Sequence, residues 1–149
     1  MNDMNRFLPR VSGSTLAERC QSVCEQLRAW NPRYEWVGIY WVNGDFLVLK
    51  SWSGKQATHH VKIPISHGIC GAAVREDRTV IVDDVSLDPR YLSCFPSTKS
   101  EIVVPIQQDG RAIGEIDIDS SMTSAFGDGD RVLLEALAQH ISQWSAEFA

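Results

Sequence analysis

The sequence predicts an α+β domain in which a central antiparallel sheet of about six strands carries the N- and C-terminal helices on one face. Three observations lead to this prediction. Long apolar stripes with helical spacing occur near the two ends of the chain, and β-branched and aromatic runs fill the middle. Two-residue hairpin signals, Asn43-Gly44 and Asp109-Gly110, each separate two such runs. Because hairpins pair antiparallel strands and the terminal helices must bury their stripes, a layered arrangement follows.

The composition bounds the number of domains and the kinds of partner. The chain has 149 residues, of which 44% are hydrophobic and 22% charged, as expected for one globular domain. Its formal net charge of −5 argues against nucleic acid and anionic membranes as partners, because both require a basic surface. The first residues lack the apolar region of a secretory signal, and no segment reaches about 18 consecutive apolar residues. We therefore expect a cytoplasmic protein.

The N-terminal third of the chain predicts an arm followed by a helix. Residues 1–11 show no periodicity, so we expect a flexible arm there and a single domain over 12–149. Thr15 and Glu18 have the spacing of a capping box, and Asn31-Pro32 ends the helix. The apolar stripe between them consists of Leu16, Cys20, Val23, Leu27 and Trp30.

The remaining elements follow from β-propensity, turn residues and one further helical stripe. The final helix has its stripe at Leu134, Leu137, Ile141, Trp144 and Phe148. The predicted elements, in order, are strands at 34–42, 46–53 and 58–63, a short helix at 68–76, a strand at 79–83, strands at 102–107 and 112–119, and a helix at about 130–148. Between them, residues 84–99 are rich in Pro and Ser and predict a long irregular loop, a kind of segment that is often functional.

The four cysteines differ in their predicted surroundings. Cys94 lies in the long loop, where a thiol is accessible, and Cys70 lies among small residues at a helix start, where the macrodipole favours a thiolate. Taken singly, each is also compatible with an inert or buried thiol. Cys20 and Cys24 lie one turn apart on the first helix, so we interpret both as packing residues.

A metal site is not expected from the sequence. The thiols form no CxxC pair and the histidines lack the usual ligand spacing. The four histidines are His59, His60, His67 and His140.

The second hairpin carries an unusual row of acidic side chains. Strand alternation places Glu115, Asp117 and Asp119 on one face. The row is compatible with an ordinary solvated face. Because Asp and Glu are poor strand formers, it also suits a strand that meets a cation, and an ammonium ligand would serve.

Several motifs in a fixed order resemble one known family, the free methionine-(R)-sulfoxide reductases, a catalytic branch of the GAF superfamily. The resemblance covers about residues 14 to 145 and includes the spacing between Cys70 and Cys94. It is carried by Trp36-Val-Gly-Ile-Tyr40, Gly68-Ile-Cys-Gly-Ala-Ala73, Val82-Asp-Asp-Val85, Cys94, Ser100-Glu-Ile-Val-Val-Pro-Ile106 and Gly114-Glu-Ile-Asp-Ile-Asp-Ser120.

The resemblance implies a GAF-like sheet with helices on one side and a ligand pocket closed by loops on the other. It implies free methionine sulfoxide as substrate, Cys94 as the nucleophile and Cys70 as the resolving thiol. The carboxylates that would hold the amino group and assist sulfoxide protonation are Glu101, Asp117 and Asp119, and the aromatic wall around the methyl group is Trp36 and Tyr40. The family often has Asp after the nucleophile, where this chain has Phe95.

The chemistry implied by the resemblance needs no metal or organic cofactor. Thiolate attack on the sulfoxide would leave a sulfenic acid, a second thiol would convert it to a disulfide, and thioredoxin or a similar dithiol would reduce the disulfide.

Two other classes of function remain open from the sequence. The first is a non-catalytic GAF module that senses a small molecule. The second is an interaction protein whose helical faces mediate dimerisation through Trp30, Trp144 and Phe148, and we expect a homodimer on the same grounds.

The turn signal and the family resemblance predict different strand registers for the second hairpin. A simple two-residue turn at Asp109-Gly110 would place Glu101 opposite Ile118, on the face away from Asp117 and Asp119. A pocket that contains all three carboxylates requires a one-residue shift. We predict a bulge near Pro105, which cannot donate a ladder hydrogen bond, or an odd-length turn.

Overall fold

The computed structural model describes residues 3–93 and 95–148. Its strands are β1 (Trp36–Asn43), β2 (Phe46–Ser53), β3 (Lys62–Pro64), β4 (Val80–Val82), β5 (Ser100–Gln108) and β6 (Arg111–Ser120). Its α-helices are α1 (Asp3–Phe7), α2 (Leu16–Trp30), α3 (Gly68–Glu76) and α4 (Asp128–Glu147), and short 3-10 helices cover Leu8–Arg10 and Val85–Leu87. All neighbouring strands pair antiparallel in one sheet of order β3-β2-β1-β6-β5-β4. The predicted α+β architecture is confirmed.

Helix α2 begins and ends where its capping residues predict. The Thr15 hydroxyl accepts a hydrogen bond from the Glu18 amide, and the Glu18 carboxylate reaches back to the Ser14 amide. Asn31 lies in an extended conformation and ends the helix. These bonds satisfy amide groups that a helix start leaves without partners.

The terminal helices cover one face of the sheet, as predicted. Helix α2 contacts β1 and β2, and α4 contacts β5 and β6. The helix stripes meet the inward side chains of the central strands in one core, whose sheet members are Val37, Ile39, Ile102, Val104, Ile106, Ile116 and Ile118. None of the described helices has the combined length and apolar character required to cross a bilayer.

The N-terminal segment is more ordered than the sequence predicts. Residues 3–10 form α1 and a 3-10 turn, whereas we expected a flexible arm over 1–11. The Phe7 ring is fully buried and meets the Trp30 ring edge-on, with 5.5 Å between centroids. The Arg10 guanidinium lies 4.9 Å from the same indole. A helix of this length is too short to show periodicity. It also covers Trp30, which belongs to the apolar stripe on which we based the expected homodimer, with residues of the same chain.

Strand β3 is shorter and later than the predicted 58–63. The chain before it turns, because the Thr58 hydroxyl accepts a hydrogen bond from the His60 amide. A side chain that bonds to nearby backbone competes with strand pairing. The pairing with β2 therefore begins at Lys62.

The β5–β6 hairpin contains the predicted one-residue shift. Gln107 pairs with Ala112 next to the turn, and Ile106 pairs with Gly114 beyond it, so Ile113 is the extra residue of a bulge. Glu101 consequently pairs with Asp119. The bulge lies on β6, the strand opposite Pro105, and Ile113 is two residues nearer the turn than Glu115, the partner of Pro105. The two-residue turn is retained.

Candidate active site

The acidic side chains share the face of the sheet that α3 covers. Cross-strand partners point to the same face, and the register forms three rows across the central strands. These rows are Trp36, Asp119, Glu101 and Val82; Gly38, Asp117, Val103 and Val80; and Tyr40, Glu115 and Pro105. The isoleucines between the β6 carboxyls point to the opposite face and enter the helix-side core.

Glu101, Asp117 and Asp119 form one hydrogen-bonded group beneath α3. All three are at most 5% exposed, and Glu101 lies within hydrogen-bond reach of both aspartates. Burial raises the pKa of Asp117, and burial together with the Asp117 charge raises the pKa of Asp119 well above its ordinary value. Two carboxyl groups can hydrogen-bond only if they share a proton. We therefore expect this group to keep at least one proton, and we call it the proton store.

Glu115 is the next carboxyl along β6 and the most isolated. Its side chain is fully buried, and neither of its oxygens has a hydrogen-bond partner of normal geometry among the described residues. Burial, and then the charge of Asp117, raise its pKa well above the ordinary value, while the adjacent Cys70 thiol opposes this shift. The raised pKa favours the neutral form of Glu115.

Cys70 faces these acids from the first turn of α3. Its Sγ donates to Asp117 Oδ2 over 3.4 Å. Burial, followed by the charges of Asp117, Glu115 and Glu101, raises the pKa of the thiol well above its ordinary value. The expected thiolate at this helix start is therefore wrong for this arrangement. A helix end contributes about 0.3–1 kcal/mol, which does not offset burial next to several acids.

Trp36 lies flat along the sheet because two glycines leave room for its ring. A Cβ on Gly38 would come within 2.3 Å of the ring atom Cη2, and a Cβ on Gly54 within 2.3 Å of Cδ1. The indole stacks on Trp52 at 6.5 Å and meets Phe95 at 5.8 Å between ring centroids. These contacts build a rigid aromatic wall beside Asp119.

An open cavity lies against this wall. Its volume is about 270 Å³, and its lining consists of Glu35, Trp36, Lys55, Gln56, Phe95, Ser97, Thr98, Asp119, Ser120 and Ser121. The volume lies just below the range of about 300–1,000 Å³ that holds drug-sized ligands. The cavity therefore suits a ligand about as large as an amino acid.

The predicted carboxylates reach this cavity unequally. Asp119 lines it, and the Thr98 hydroxyl donates to Asp119 Oδ2 over 3.4 Å. Glu101, Asp117 and Cys70 instead line a second, much smaller cavity of about 10 Å³. The three carboxyls thus lie next to one another, but they do not line one cavity as predicted. Of the three, Asp119 alone lines the open cavity, so a ligand there meets Asp119 first.

Tyr40 lies deeper than predicted. Its side chain is 1% exposed, and its hydroxyl donates to the His60 carbonyl oxygen over 2.8 Å. It pairs with Glu115 across β1 and β6, and it is not part of the open cavity's lining. Contact between Tyr40 and a substrate stays a prediction.

One cluster of described residues has ligand atoms close enough for a metal. Cys70, Glu101 and Asp117 each place one such atom within 4.8 Å of the others. A cation could enter this cluster only by displacing the protons on its thiol and carboxyl groups, because metal ligands must be deprotonated.

The comparisons with known proteins identify the family. A family model described as GAF domain matches residues 14–143. The chain belongs to the GAF domain family. One relative, free methionine-R-sulfoxide reductase of Escherichia coli, is 33% identical to this GAF domain over 147 residues, which cover 95% of this chain and 86% of the relative.

Two solved structures share both the fold and much of the sequence. The type II free methionine-R-sulfoxide reductase of Thermoplasma acidophilum superposes on this GAF domain with a TM-score of 0.85 at 38% identity, covering 98% of this chain and 97% of that one. The Neisseria meningitidis free methionine-R-sulfoxide reductase, in complex with its substrate, gives a TM-score of 0.88 at 30% identity, with coverage of 97% and 89%.

Cys94, the predicted nucleophile of this GAF domain, lies outside the described residues. The next residue, Phe95, packs against Trp36 and lines the open cavity. Cys20 and Cys24 lie in the helix-side core, as predicted. Burial raises the pKa of Cys20 to about 12 and that of Cys24 well above its ordinary value.

Sequence reasoning did not assign Glu115, Thr98 or Lys55 to the site of this GAF domain. Strand alternation had already placed Glu115 on the face of Asp117 and Asp119, so the signal for it was present. Thr98 and Lys55 lie in loops, where no periodic pattern indicates which side chains meet.

Proposed function

We propose that this protein reduces free L-methionine-(R)-sulfoxide to methionine. The observation that carries the proposal is the buried acid group of Glu101, Asp117 and Asp119, which lies next to the Cys70 thiol and an amino-acid-sized cavity. The names of the relatives support the same reaction. The domain that performs it spans residues 12–149.

The first step transfers oxygen from the substrate to Cys94. The Cys94 thiolate attacks the sulfoxide sulfur, and carboxylic acids of the group protonate the substrate oxygen, which leaves as water. This water then attacks the Cys94 sulfur and breaks the new S–S bond, so methionine leaves, Cys94 becomes a sulfenic acid and one proton returns to the group. Acids with raised pKa values keep the required proton at neutral pH. The same carboxyls bind the substrate ammonium group, with Asp119 nearest to the open cavity. Trp36 contacts the methyl group, and Tyr40 completes this wall.

The second step closes a disulfide. The Cys70 sulfur attacks the Cys94 sulfur, the S–O bond breaks, and the hydroxyl takes a proton from the acid group and leaves as water. Asp117 Oδ2, which accepts the Cys70 hydrogen bond, accepts the thiol proton in this step. Thioredoxin or a similar dithiol then reduces the disulfide by exchange, and no metal or organic cofactor takes part.

The decisive experiment measures turnover of the separate R and S epimers of free methionine sulfoxide with thioredoxin as reductant. We expect reduction of the R epimer, its loss in Cys94→Ser, and a single turnover without sustained thioredoxin oxidation in Cys70→Ser. Cys20→Ala is the matched control, because it also removes one thiol but from the helix-side core, and we expect it to remain active. If the fully reduced wild-type protein leaves the R epimer unchanged, the proposal is wrong.

The second candidate is a GAF module that only senses a small molecule. The cavity would serve such a module equally well. Ligand binding by a wild-type protein that reduces neither epimer would favour it.

A homodimer stays a prediction. The Trp144 side chain is 8% exposed and that of Phe148 is 40% exposed, so part of the predicted stripe is available to a second copy. Light scattering at micromolar concentration measures the mass, and a monomeric mass would contradict the dimer without affecting the catalytic proposal.

A further inference from the structure

The proposed function leaves one charged group of the substrate without a partner. A free amino acid carries an ammonium and a carboxylate on the same carbon, and the acids of the site account for the ammonium alone. The open cavity is lined by two acidic side chains, Glu35 and Asp119, and by one cationic side chain, Lys55.

Glu35 is already engaged by its own neighbours. Its Oε2 accepts hydrogen bonds from the Ser121 amide at 2.5 Å, the Ser121 hydroxyl at 2.6 Å and the Ser120 hydroxyl at 3.3 Å. Burial alone would raise its pKa, but these bonds and the positive charge of Lys55 outweigh burial and hold the pKa below its ordinary value. Glu35 is therefore ionised, fixed and close enough to Lys55 for their charges to interact.

Lys55 itself forms none of the ion pairs within 4.0 Å that join the described residues. It follows Gly54, whose lack of a side chain brings the chain against the Trp36 indole. This contact holds the start of the loop against the cavity, whose lining also includes Glu35 and Asp119. The lining thus combines a cationic side chain with acidic ones, as the binding of a zwitterion requires.

We propose that Lys55 binds the α-carboxylate of the substrate and thereby restricts the protein to free amino acids. This inference rests on the proposed function. A methionine sulfoxide residue inside a peptide lacks the free carboxylate, so it loses this contact. Lys55 contacts the end of the substrate that does not react, and it therefore acts on substrate binding and specificity.

The test compares two substrates that differ only in the carboxylate. L-methionine-(R)-sulfoxide and its carboxamide are assayed with the wild-type protein, Lys55→Gln, Lys55→Arg and Lys50→Gln. We expect Lys55→Gln to raise KM for the acid by roughly 1.5- to 5-fold, as for the loss of one exposed charge pair, and to leave KM for the amide unchanged. Lys55→Arg should restore most of the binding, and kcat should change little for either substrate.

Lys50→Gln is the matched control, because Lys50 is an exposed lysine of β2 outside the cavity lining. It removes the same charge from the molecule and should leave both KM values unchanged. Equal effects of Lys55→Gln on the acid and the amide, or no effect on either, would overturn the assignment.

A binding measurement separates failure of this inference from failure of the proposed function. Calorimetry with Cys94→Ser compares L-methionine with L-methioninamide, with and without Lys55→Gln. A loss of affinity confined to L-methionine would support the carboxylate contact even if the wild-type protein proved inactive as a reductase. If Lys55→Gln binds both compounds as tightly as its parent does, the inference fails even in an active reductase.

Discussion

At the scale of single residues, Glu115 is the side chain whose burial is hardest to explain by packing. A buried polar group without a hydrogen bond costs roughly 1–3 kcal/mol in proteins, and both oxygens of Glu115 lack a partner of normal geometry among the described residues. Its neighbours across the sheet, Tyr40 and Pro105, offer it no charge. The contact with Cys70 is the one interaction here that links it to the proposed chemistry.

Replacing Glu115 by leucine should therefore stabilise the fold. We expect Glu115→Leu to raise the free energy of unfolding by about 1–3 kcal/mol, because the variant no longer buries an unpartnered carboxyl. Urea unfolding at neutral pH measures this change. Glu115→Gln is the control, since it keeps a polar group at the same place and should gain little. A loss of stability in Glu115→Leu would show that the carboxyl has a partner that compensates its burial.

At the scale of secondary-structure elements, β1 shows how strand alternation and glycine together form the site. Trp36, Gly38 and Tyr40 share one face, and the absent side chain at Gly38 leaves the space that the Trp36 ring fills. The opposite face carries Val37 and Ile39, which belong to the helix-side core. One strand thus supplies both a structural face and a ligand-binding face.

A methyl group at Gly38 should disturb this arrangement. The added Cβ would lie 2.3 Å from Cη2 and 2.6 Å from Cζ3 of Trp36, so the indole, which lines the open cavity, must shift. We expect Gly38→Ala to raise KM for the sulfoxide and to lower the free energy of unfolding by about 1–3 kcal/mol, as overpacking does. Steady-state kinetics and urea unfolding measure the two effects.

Gly129→Ala provides the control for Gly38→Ala. A Cβ at Gly129 meets no atom within 4 Å, and alanine favours a helix more than glycine does. This variant should be at least as stable as the wild-type protein, with the same KM. If Gly38→Ala behaves in the same way, the Trp36 ring is not fixed by that glycine.

The elements that the sequence predicts well are those with long periodic patterns. Helices α2 and α4 and the two hairpins follow from stripes and turn residues. The one-residue shift of the second hairpin was predicted from the need to bring Glu101 to the face of Asp117, but near Pro105 and not at Ile113. Helix α1 and strand β3 are too short for a period to show. The division of the site into a larger and a very small cavity depends on how α3 and the loops pack, which no local pattern specifies.

At the scale of the whole molecule, the two faces of the sheet make opposite contributions to stability. The helix side buries a continuous apolar core between the sheet and the terminal helices. The α3 side buries four carboxyl groups, those of Glu101, Glu115, Asp117 and Asp119. Burying ionisable groups costs stability, and proteins retain such groups where function requires them. The apolar core on the helix side therefore has to compensate for the stability that the buried carboxyl groups cost.

The burial of carboxyl groups on the α3 side of the sheet predicts how the free energy of unfolding depends on pH. The pKa values of Glu115, Asp117 and Asp119 are raised in the folded protein, so above about pH 4.5 the unfolded chain releases protons that the folded chain keeps. Stability falls with rising pH wherever the folded state binds more protons, by about 1.4 kcal/mol per pH unit for each retained proton. The stability that protonation provides is thus complete below the unfolded pKa values and is lost as the pH rises.

Carboxyl groups whose pKa values are lowered in the folded protein affect its stability in a different, more acidic pH range. The pKa values of Glu35 and Asp88 lie below their ordinary values, so their contribution is lost only as the pH falls through those lowered values. Between about pH 5.5 and 7.5 the buried acids therefore determine the slope. We expect the free energy of unfolding, measured with urea, to be higher at the lower end of this range. The stability of Glu115→Leu should fall less steeply with pH, because the variant lacks one of the buried acids. Subtracting its slope from that of the wild-type protein cancels the contribution of every ionisable group that the two proteins share. Stability that rises with pH over this range would mean that the acids are ionised in the folded protein, and it would remove the proton store on which the proposed reduction depends.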